Sequence, residues 1–493
     1  MHRFATIGGL TQSAKCGAIG PLLTGMSYAA PPQPNFVRNN GMQFFWKAAD
    51  VGVQPAIALD RPMVSTGTAT MLAVADMVGV GVFTSLGFQV QDIPSAFSLL
   101  MLWIVGGVVA LCGALAYAEL AAALPRSGGE YYYLSCIYHP AVGFLAGWIS
   151  ITVGFAAPTA LAAMAFSSYA GGIIPSVSPM VLALAVTVLV TLVHIGGVRQ
   201  SGIFQNVATN IKIALVVLLI IAGFASGGTG QVDTFAPAWR DLEYMTSAPF
   251  AISLVFVMYS YSGWNAATYI ADDIRRPHQS LPLSLIGATF IVLLLYTALN
   301  AAFLYSTPMS KLAGQLDVAL VVGRNVFGES GGRLVSVLIC FGLVSSISAM
   351  MWIGPRVTAV MGEDFNELRL LARRNVKGVP VVALCYQLGV VVLMLITGSF
   401  ETILEFMQLS LTLCSFLAVL GVMVLRYKYP NLPRPYRLPG YPLVPLTFLT
   451  ITGFMLAHLL AERPFQSLGG LAMMLVGLAI YAATRKRLAA SVF

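Results

Sequence analysis

Long apolar stretches dominate this chain. About twelve reach the ~20 residues that a helix needs to cross a bilayer. They lie at residues 67–90, 97–123, 132–157, 179–197, 203–224, 248–270, 281–305, 333–360, 379–397, 402–426, 443–461 and 466–484. Each must satisfy its own backbone N–H and C=O groups in hydrocarbon, so each is expected to be a helix. Composition leaves little alternative. Hydrophobic residues make up 58% of the chain and charged residues 9%, against about 25% charged in an ordinary soluble domain. A water-facing surface cannot be built from so few charges. This excludes a soluble enzyme, a disordered chain and a secreted disulfide scaffold. The chain reads as an all-α integral membrane protein, with lipid over much of its surface.

Residues 1–65 are a separate zone, rich in proline and lacking a convincing secretory signal. They are expected to form a disordered cytoplasmic tail, with a targeting peptide as the alternative. An even number of spans puts both termini on one side. With that side in the cytoplasm, the inner loops and C-terminus carry fifteen Lys and Arg, against five in the outer loops. This is the positive-inside asymmetry. The net charge of +8 therefore sets orientation. It is spread too thinly to mark a nucleic-acid site. The six Cys show no CxxC spacing, so neither a metal site nor a disulfide framework is expected. No cofactor is expected either.

Two spans carry weak points. The first reads Ala75-Asp76-Met77-Val78-Gly79-Val80-Gly81-Val82-Phe83, and the sixth reads Tyr259-Ser260-Tyr261-Ser262-Gly263-Trp264-Asn265. Each Gly weakens a helix by about 1 kcal/mol. Each break opens a set of five spans, and paired interruptions of this kind are the sequence pointer to an inverted-repeat transporter. An unwound stretch frees amide N–H groups and carbonyls. The positive end of a half-helix attracts a carboxylate, and free carbonyls attract an ammonium. A zwitterionic amino acid needs both. Close helix packing through Gly and Ser is the other reading of the same residues.

These residues resemble a known family. Gly79-Val80-Gly81-Val82-Phe83 is similar to the Gly-Ser-Gly-Ile-Phe element of the amino acid–polyamine–organocation (APC) superfamily. Tyr117-Ala118-Glu119-Leu120 and Pro125-Arg126-Ser127-Gly128-Gly129-Glu130-Tyr131 resemble its link from helix two to helix three. Ser262-Gly263-Trp264-Asn265, Asp272-Asp273-Ile274-Arg275-Arg276-Pro277 and Leu281-Pro282 resemble helix six of its L-type amino acid transporter branch. Gly354-Pro355-Arg356-Val357 with Met361-Gly362 resembles the end of helix eight. Pro430, Arg434-Pro435-Tyr436 and Gly440-Tyr441-Pro442 resemble the loop after helix ten.

The resemblance implies a five-plus-five inverted repeat over residues 66–426, with repeats at 66–224 and 248–426. Two extra helices and a short cytoplasmic tail would follow over 427–493. It also implies amino acid transport. Carried over by position, the backbone of Val78, Gly79, Val80, Gly81 and Val82 would hold the substrate carboxylate and part of its amine. Tyr259, Ser260, Tyr261 and Ser262 would supply further carbonyls beside Gly263. Tyr259 takes the place of an aromatic outer gate. Ser262 and Asn265 would face the side-chain pocket, and both are uncharged, which favours a neutral substrate.

Three ionisable residues fall within spans. Lys212 lies about nine residues into the fifth span, where an ammonium costs about 3 kcal/mol or more unless paired or hydrated. In the superfamily a Lys here takes the space of a sodium ion and is proposed to couple transport to protons. Snorkelling to the interface is the alternative. Asp76 is less expected, because the family has an uncharged residue there. It is read as facing helix five and pairing with Lys212, as a second proton carrier, or as a neutral group bonded to helix-one carbonyls. Glu119 is read as a cytoplasmic gate, or as a structural tie to Arg126 or another basic loop residue. His139 and His194 are read as interface positions. Asp272, Asp273, Arg275 and Arg276 are read as a solvated ion-pair network.

No HExxH or Cys/His cluster supports an enzyme. A channel or a non-transporting nutrient sensor would share much of this pattern. Within transport, proton symport and amino acid exchange compete, with polyamine transport as a further alternative; Lys212 and Asp76 lean to proton coupling. Eukaryotic members of the L-type branch use a single-span partner disulfide-bonded outside the membrane. No Cys lies in the outer loop between spans three and four, so no such partner is expected. A bacterial inner membrane is the expected location.

Overall fold

The computed structural model describes residues 64–490, apart from 172–173, 175, 229–234, 316, 399 and 463. The expected N-terminal tail, up to residue 63, lies outside the described residues. Everything described is helix or connection, save one isolated bridge between Val64 and Ile274.

The first span is two helices, α1 (Thr66–Met77) and α2 (Val80–Asp92), parted at Val78 and Gly79. Ser65 caps α1 by accepting from the Thr68 amide at 3.1 Å, which satisfies one of the first-turn donors. Then come α3 (Ala96–Ala123), α4 (Glu130–Ile137) and α5 (Pro140–Ile149). A π-helical turn over Ser150–Gly154 joins α5 to α6 (Ala156–Gly171). The chain continues through α7 (Pro179–Ile195), α8 (Val198–Ala225) and the short α9 (Trp239–Met245). The sixth span is α10 (Ala248–Tyr261) and a 3-10 stretch over Ala266–Asp273. The long α11 (Pro277–Ser306) and short α12 (Met309–Leu312) lead to α13 (Val318–Asp364), which is broken at Gly328. The last helices are α14 (Val381–Thr397), α15 (Phe400–Lys428), α16 (Leu443–Glu462) and α17 (Pro464–Ala490).

Among the described residues eight helical segments are long and apolar enough to cross a bilayer, and nine if the bent pair α9 and α10 forms one span. The other three expected spans coincide with shorter apolar helices at Pro179–Ile195, Val381–Thr397 and Leu468–Ala483. One expected boundary is corrected. The third span is Pro140–Gly171, not 132–157. The aromatic run at Tyr131–Tyr133 mimics bilayer hydropathy, but it belongs to α4, and Pro140 restarts the helix.

The core is built by α11 against α3 and α1, and by α13 against α6 and α8. Leu189, Ile221, Leu283 and Leu475 remain more than 60% exposed on the outside. Such an apolar rind is costly in water and suits lipid.

Candidate functional site

Both weak points are real breaks, and they face each other. At the first, Val78 and Gly79 leave helical geometry, and no side chain caps the N-terminus of α2. At the second, Gly263 adopts φ +102, a left-handed conformation that only glycine takes easily. Tyr296 of α11 ties the two together. Its hydroxyl donates to the Met77 carbonyl at 2.6 Å and to the Ser260 carbonyl at 3.0 Å. Gly81 packs directly on Ser260, and Gly263 packs on the side chain of Asp76. The breaks are narrower than the sequence suggests. Val80, Gly81 and Val82 are the first turn of α2, and Tyr259, Ser260 and Tyr261 are the last turn of α10.

A cavity lies at this crossing, with about 590 Å³ of space when the open solvent at its mouth is included. Of the residues expected to bind substrate, Ser262, Gly263 and Asn265 line it, and Asp76 joins them. Val78 to Val82 and Tyr259 to Tyr261 do not. The Tyr261 side chain is fully buried and points elsewhere, donating to the Trp103 carbonyl at 3.1 Å. Tyr259 is half-buried and packs on an apolar cluster that includes Val153, Ala157 and Met407.

Lys212 is wholly buried. Its Nζ donates to the Ala75 carbonyl at 2.9 Å, to the Val78 carbonyl and to Ser346 Oγ at 2.7 Å. It therefore does not snorkel. Gly342 of α13 faces its methylene stem, and a methyl group there would sit at ordinary van der Waals separation from it. The acceptors are backbone carbonyls freed where α1 ends, plus one hydroxyl. These are the oxygen ligands that a hard cation would use.

The expected pairing of Asp76 with Lys212 is corrected. Among the described residues no ion pair within 4.0 Å joins them. Asp76 instead faces the second break, against Gly263. Helical geometry explains the difference: the carbonyls at the end of α1 take the ammonium, and the Asp76 side chain leaves on the cavity face. The reading as a group bonded to helix-one carbonyls also fails for Asp76 Oδ1, which is buried without a hydrogen-bond partner.

Glu119 is fully buried and is a tie, not to Arg126 but to the loop after α15. Arg426 grips both of its oxygens, Nε reaching Oε1 at 2.8 Å. The Leu438 amide donates to Oε2 at 2.7 Å, and Arg434 Nε lies 3.4 Å from Oε1. Arg126 pairs with Asp364 at 2.8 Å instead. Asp364 also accepts from the Tyr131 hydroxyl at 2.7 Å.

In the charged cluster at Asp272–Arg276, Asp272, Arg275 and Arg276 are exposed as expected, and Asp273 departs from that reading. Asp273 makes a buried pair with Arg356 of α13 at 2.8 Å, and Asp272 exchanges hydrogen bonds with Ser127. His194 is buried against Ser348 at 3.0 Å, not at an interface, and His139 caps α5.

One site residue escaped the sequence reading. Glu130 is buried and lines the cavity. Its Oε1 accepts from the Tyr117 hydroxyl at 2.5 Å, from Ser415 at 2.9 Å and from the Asn265 amide at 3.3 Å. The available signal was an acidic residue directly after Gly128-Gly129, at the first turn of a helix that runs into the bundle. Among the described residues no group of His, Cys, Asp and Glu could hold a metal ion.

The comparisons with known proteins agree with this architecture. The amino acid permease family profile matches residues 64–482. The chain is 27% identical to the mouse (Mus musculus) b(0,+)-type amino acid transporter 1, over 83% of this chain and 85% of that protein. It is 26% identical to the mouse Asc-type amino acid transporter 1, over 84% and 79%. It is 27% identical to the rat (Rattus norvegicus) large neutral amino acids transporter small subunit 2, over 83% and 78%. Two broken helices facing across a buried cavity, with a family match over most of the chain, place this protein in the amino acid permease family.

Proposed function

We propose that this protein is a secondary transporter that carries amino acids across the cell membrane by alternating access. The observation that carries the reading is the face-to-face placement of the two helix breaks over a buried cavity. The uncapped N-terminus of α2 would supply backbone amides and the positive end of a helix dipole for an α-carboxylate in a conformation that opens it to the cavity, whose lining does not include it here. Carbonyls at the end of α10, likewise outside the present lining, would accept from an α-ammonium in that conformation. The relatives named as amino acid transporters support the same substrate class. The excess of Lys and Arg in alternate loops supports cytoplasmic termini.

Coupling is assigned to Lys212. Its ammonium bridges the end of α1 to α13 through Ser346, as a bound cation would. A proton leaving Lys212 would remove that bridge, and this favours proton-coupled uptake over exchange. Purified protein in liposomes, given a panel of labelled amino acids, tests both parts. Saturable accumulation that grows with an inward pH gradient is expected. Uptake that needs internal amino acid and ignores the gradient would make the protein an exchanger. Absence of saturable uptake for every amino acid would remove the transport reading.

A further inference from the structure

The cavity wall is acidic. Asp76 and Glu130 line it, and no Lys, Arg or His among the described residues does. Asp76 is only 9% exposed, and its Oδ1 has no hydrogen-bond partner in the protein. A buried carboxylate in that condition is costly unless a proton or a positive charge reaches it. Lys212 lies close enough to act on Asp76 electrostatically, but its ammonium makes its hydrogen bonds to the Ala75 and Val78 carbonyls and to Ser346. Glu130 is held in place by Tyr117, Asn265 and Ser415, all through Oε1. The wall also carries aromatic rings: Phe155, Trp264 and Tyr269 line it, with Phe155 and Tyr269 edge to face at 5.1 Å.

We propose that this cavity is a subsite for an organic cation, the ammonium or guanidinium of a basic amino acid side chain. Asp76 is its ion partner and Glu130 the second anion. The rings of Phe155, Trp264 and Tyr269 receive the methylene stem and face the cation with their π-systems. This rests on the amino acid transport reading and replaces the neutral side chain suggested by Ser262 and Asn265. Those two residues are uncharged, but they share their wall with two carboxyl groups.

The experiment is competition in proteoliposomes, and it works whatever the natural substrate. Uptake of whichever labelled amino acid accumulates is inhibited by lysine and by norleucine, which share a linear side chain and differ in the terminal ammonium. Arginine and citrulline form a second pair. Lysine is expected to compete at least tenfold more strongly than norleucine. Asp76→Asn is expected to shrink that ratio tenfold or more, and Glu130→Gln by less. Equal competition by lysine and norleucine in the unmodified protein would overturn the proposal, and so would an Asp76→Asn variant that keeps the original ratio.

Ligand-induced thermal stabilisation of the detergent-solubilised protein gives a readout independent of transport. Stabilisation by lysine but not norleucine, lost in Asp76→Asn, supports the subsite even where no amino acid is taken up. Stabilisation by sodium chloride, absent with choline chloride and lost in the same variant, would assign Asp76 to an inorganic cation and overturn the proposal. Should Asp76→Asn fail to fold, the comparison of lysine with norleucine on the unmodified protein still decides.

Discussion

Lys212 and Ser346 converge on the same carbonyls. The Lys212 ammonium donates to Ser346 Oγ at 2.7 Å, and Ser346 in turn lies 3.0 Å from the Val78 carbonyl and 3.3 Å from that of Ala75. The end of α1 is thus bound to α13 through one charged and one hydroxyl donor. Removing the charge leaves two buried carbonyls to one hydroxyl, and each unsatisfied group costs about 1–3 kcal/mol. Lys212→Ala is expected to lower the melting temperature in detergent and to abolish the pH-gradient dependence of uptake. Lys212→Gln restores a donor without a titratable charge. It should recover part of the stability and none of the gradient dependence. Gradient-driven uptake by Lys212→Ala would refute the coupling role.

Gly81 separates the packing role of the first break from its binding role. A methyl group at Gly81 would meet the Ser260 Cα and Cβ at 3.0 Å, whereas one at Gly79 would meet its nearest atom, Ser346 Oγ, at 3.4 Å. Overpacking of this kind costs about 1–3 kcal/mol. Gly81→Ala is expected to destabilise the protein by that amount, and Gly79→Ala by clearly less. The double variant Gly81→Ala with Ser260→Gly should recover part of the loss, because contacting residues couple. Thermal unfolding of the four proteins in one detergent measures the cycle. Strict additivity would show that the two breaks do not pack here.

What was legible in the sequence follows from what is local. Apolar length and clustered Gly and Ser depend on neighbouring residues only, so the helices and both breaks could be read directly. Lys212 stood out for the same reason, as one ammonium in an apolar run. Its partners could not be read, because they depend on which face of α8 meets α1 and α13. The same holds for Asp76, whose side chain meets Gly263 of the second break and makes no ion pair with Lys212. Glu130 lay just before the expected third span, within the motif linking helix two to helix three, and nothing local marked it as buried. Only the true course of α4, packed against α5 and α15, brings it into the cavity. Local patterns thus identified the two helix breaks, while the charge of the cavity wall depended on how the helices are rotated.

Arg356 and Asp273 form a buried pair between α13 and the 3-10 stretch of the sixth span, with side chains 6% and 11% exposed. Beside it, the Val64 amide donates to the Asp273 carbonyl at 2.7 Å, and the Arg275 amide donates to the Val64 carbonyl at 3.0 Å. The start of α1 is therefore bound to the sixth span, which is bound in turn to α13. Leaving one member of a buried pair alone costs about 3–5 kcal/mol, and here the cost falls on the arrangement that makes these contacts. Asp273→Asn is expected to shift the protein towards a state open at the start of α1. A cysteine placed at Ser262 should then react faster with a membrane-impermeant thiol reagent added from that side. An unchanged labelling rate would mean that the pair braces the fold without governing access.

Glu119 distinguishes a gate from a brace. It is buried in α3, yet its partners all come from the far end of the chain: Arg426, Arg434 and the Leu438 amide. Glu119→Gln keeps the shape, removes the charge, and leaves two guanidinium groups facing each other. A loss of about 3 kcal/mol is expected, at the lower end for breaking a buried pair because Arg426 is partly exposed. The loop from Tyr429 to Gly440 should loosen with it, since Leu438 loses a charged acceptor. Limited proteolysis is expected to cut that loop faster in the variant, and the melting temperature to fall. A gate predicts the reverse pattern, with altered uptake kinetics, an unchanged melting temperature and an uncut loop. Because the partners of Glu119 lie in the last turn of α15 and on the loop after it, and none lines the cavity, the brace is the outcome expected.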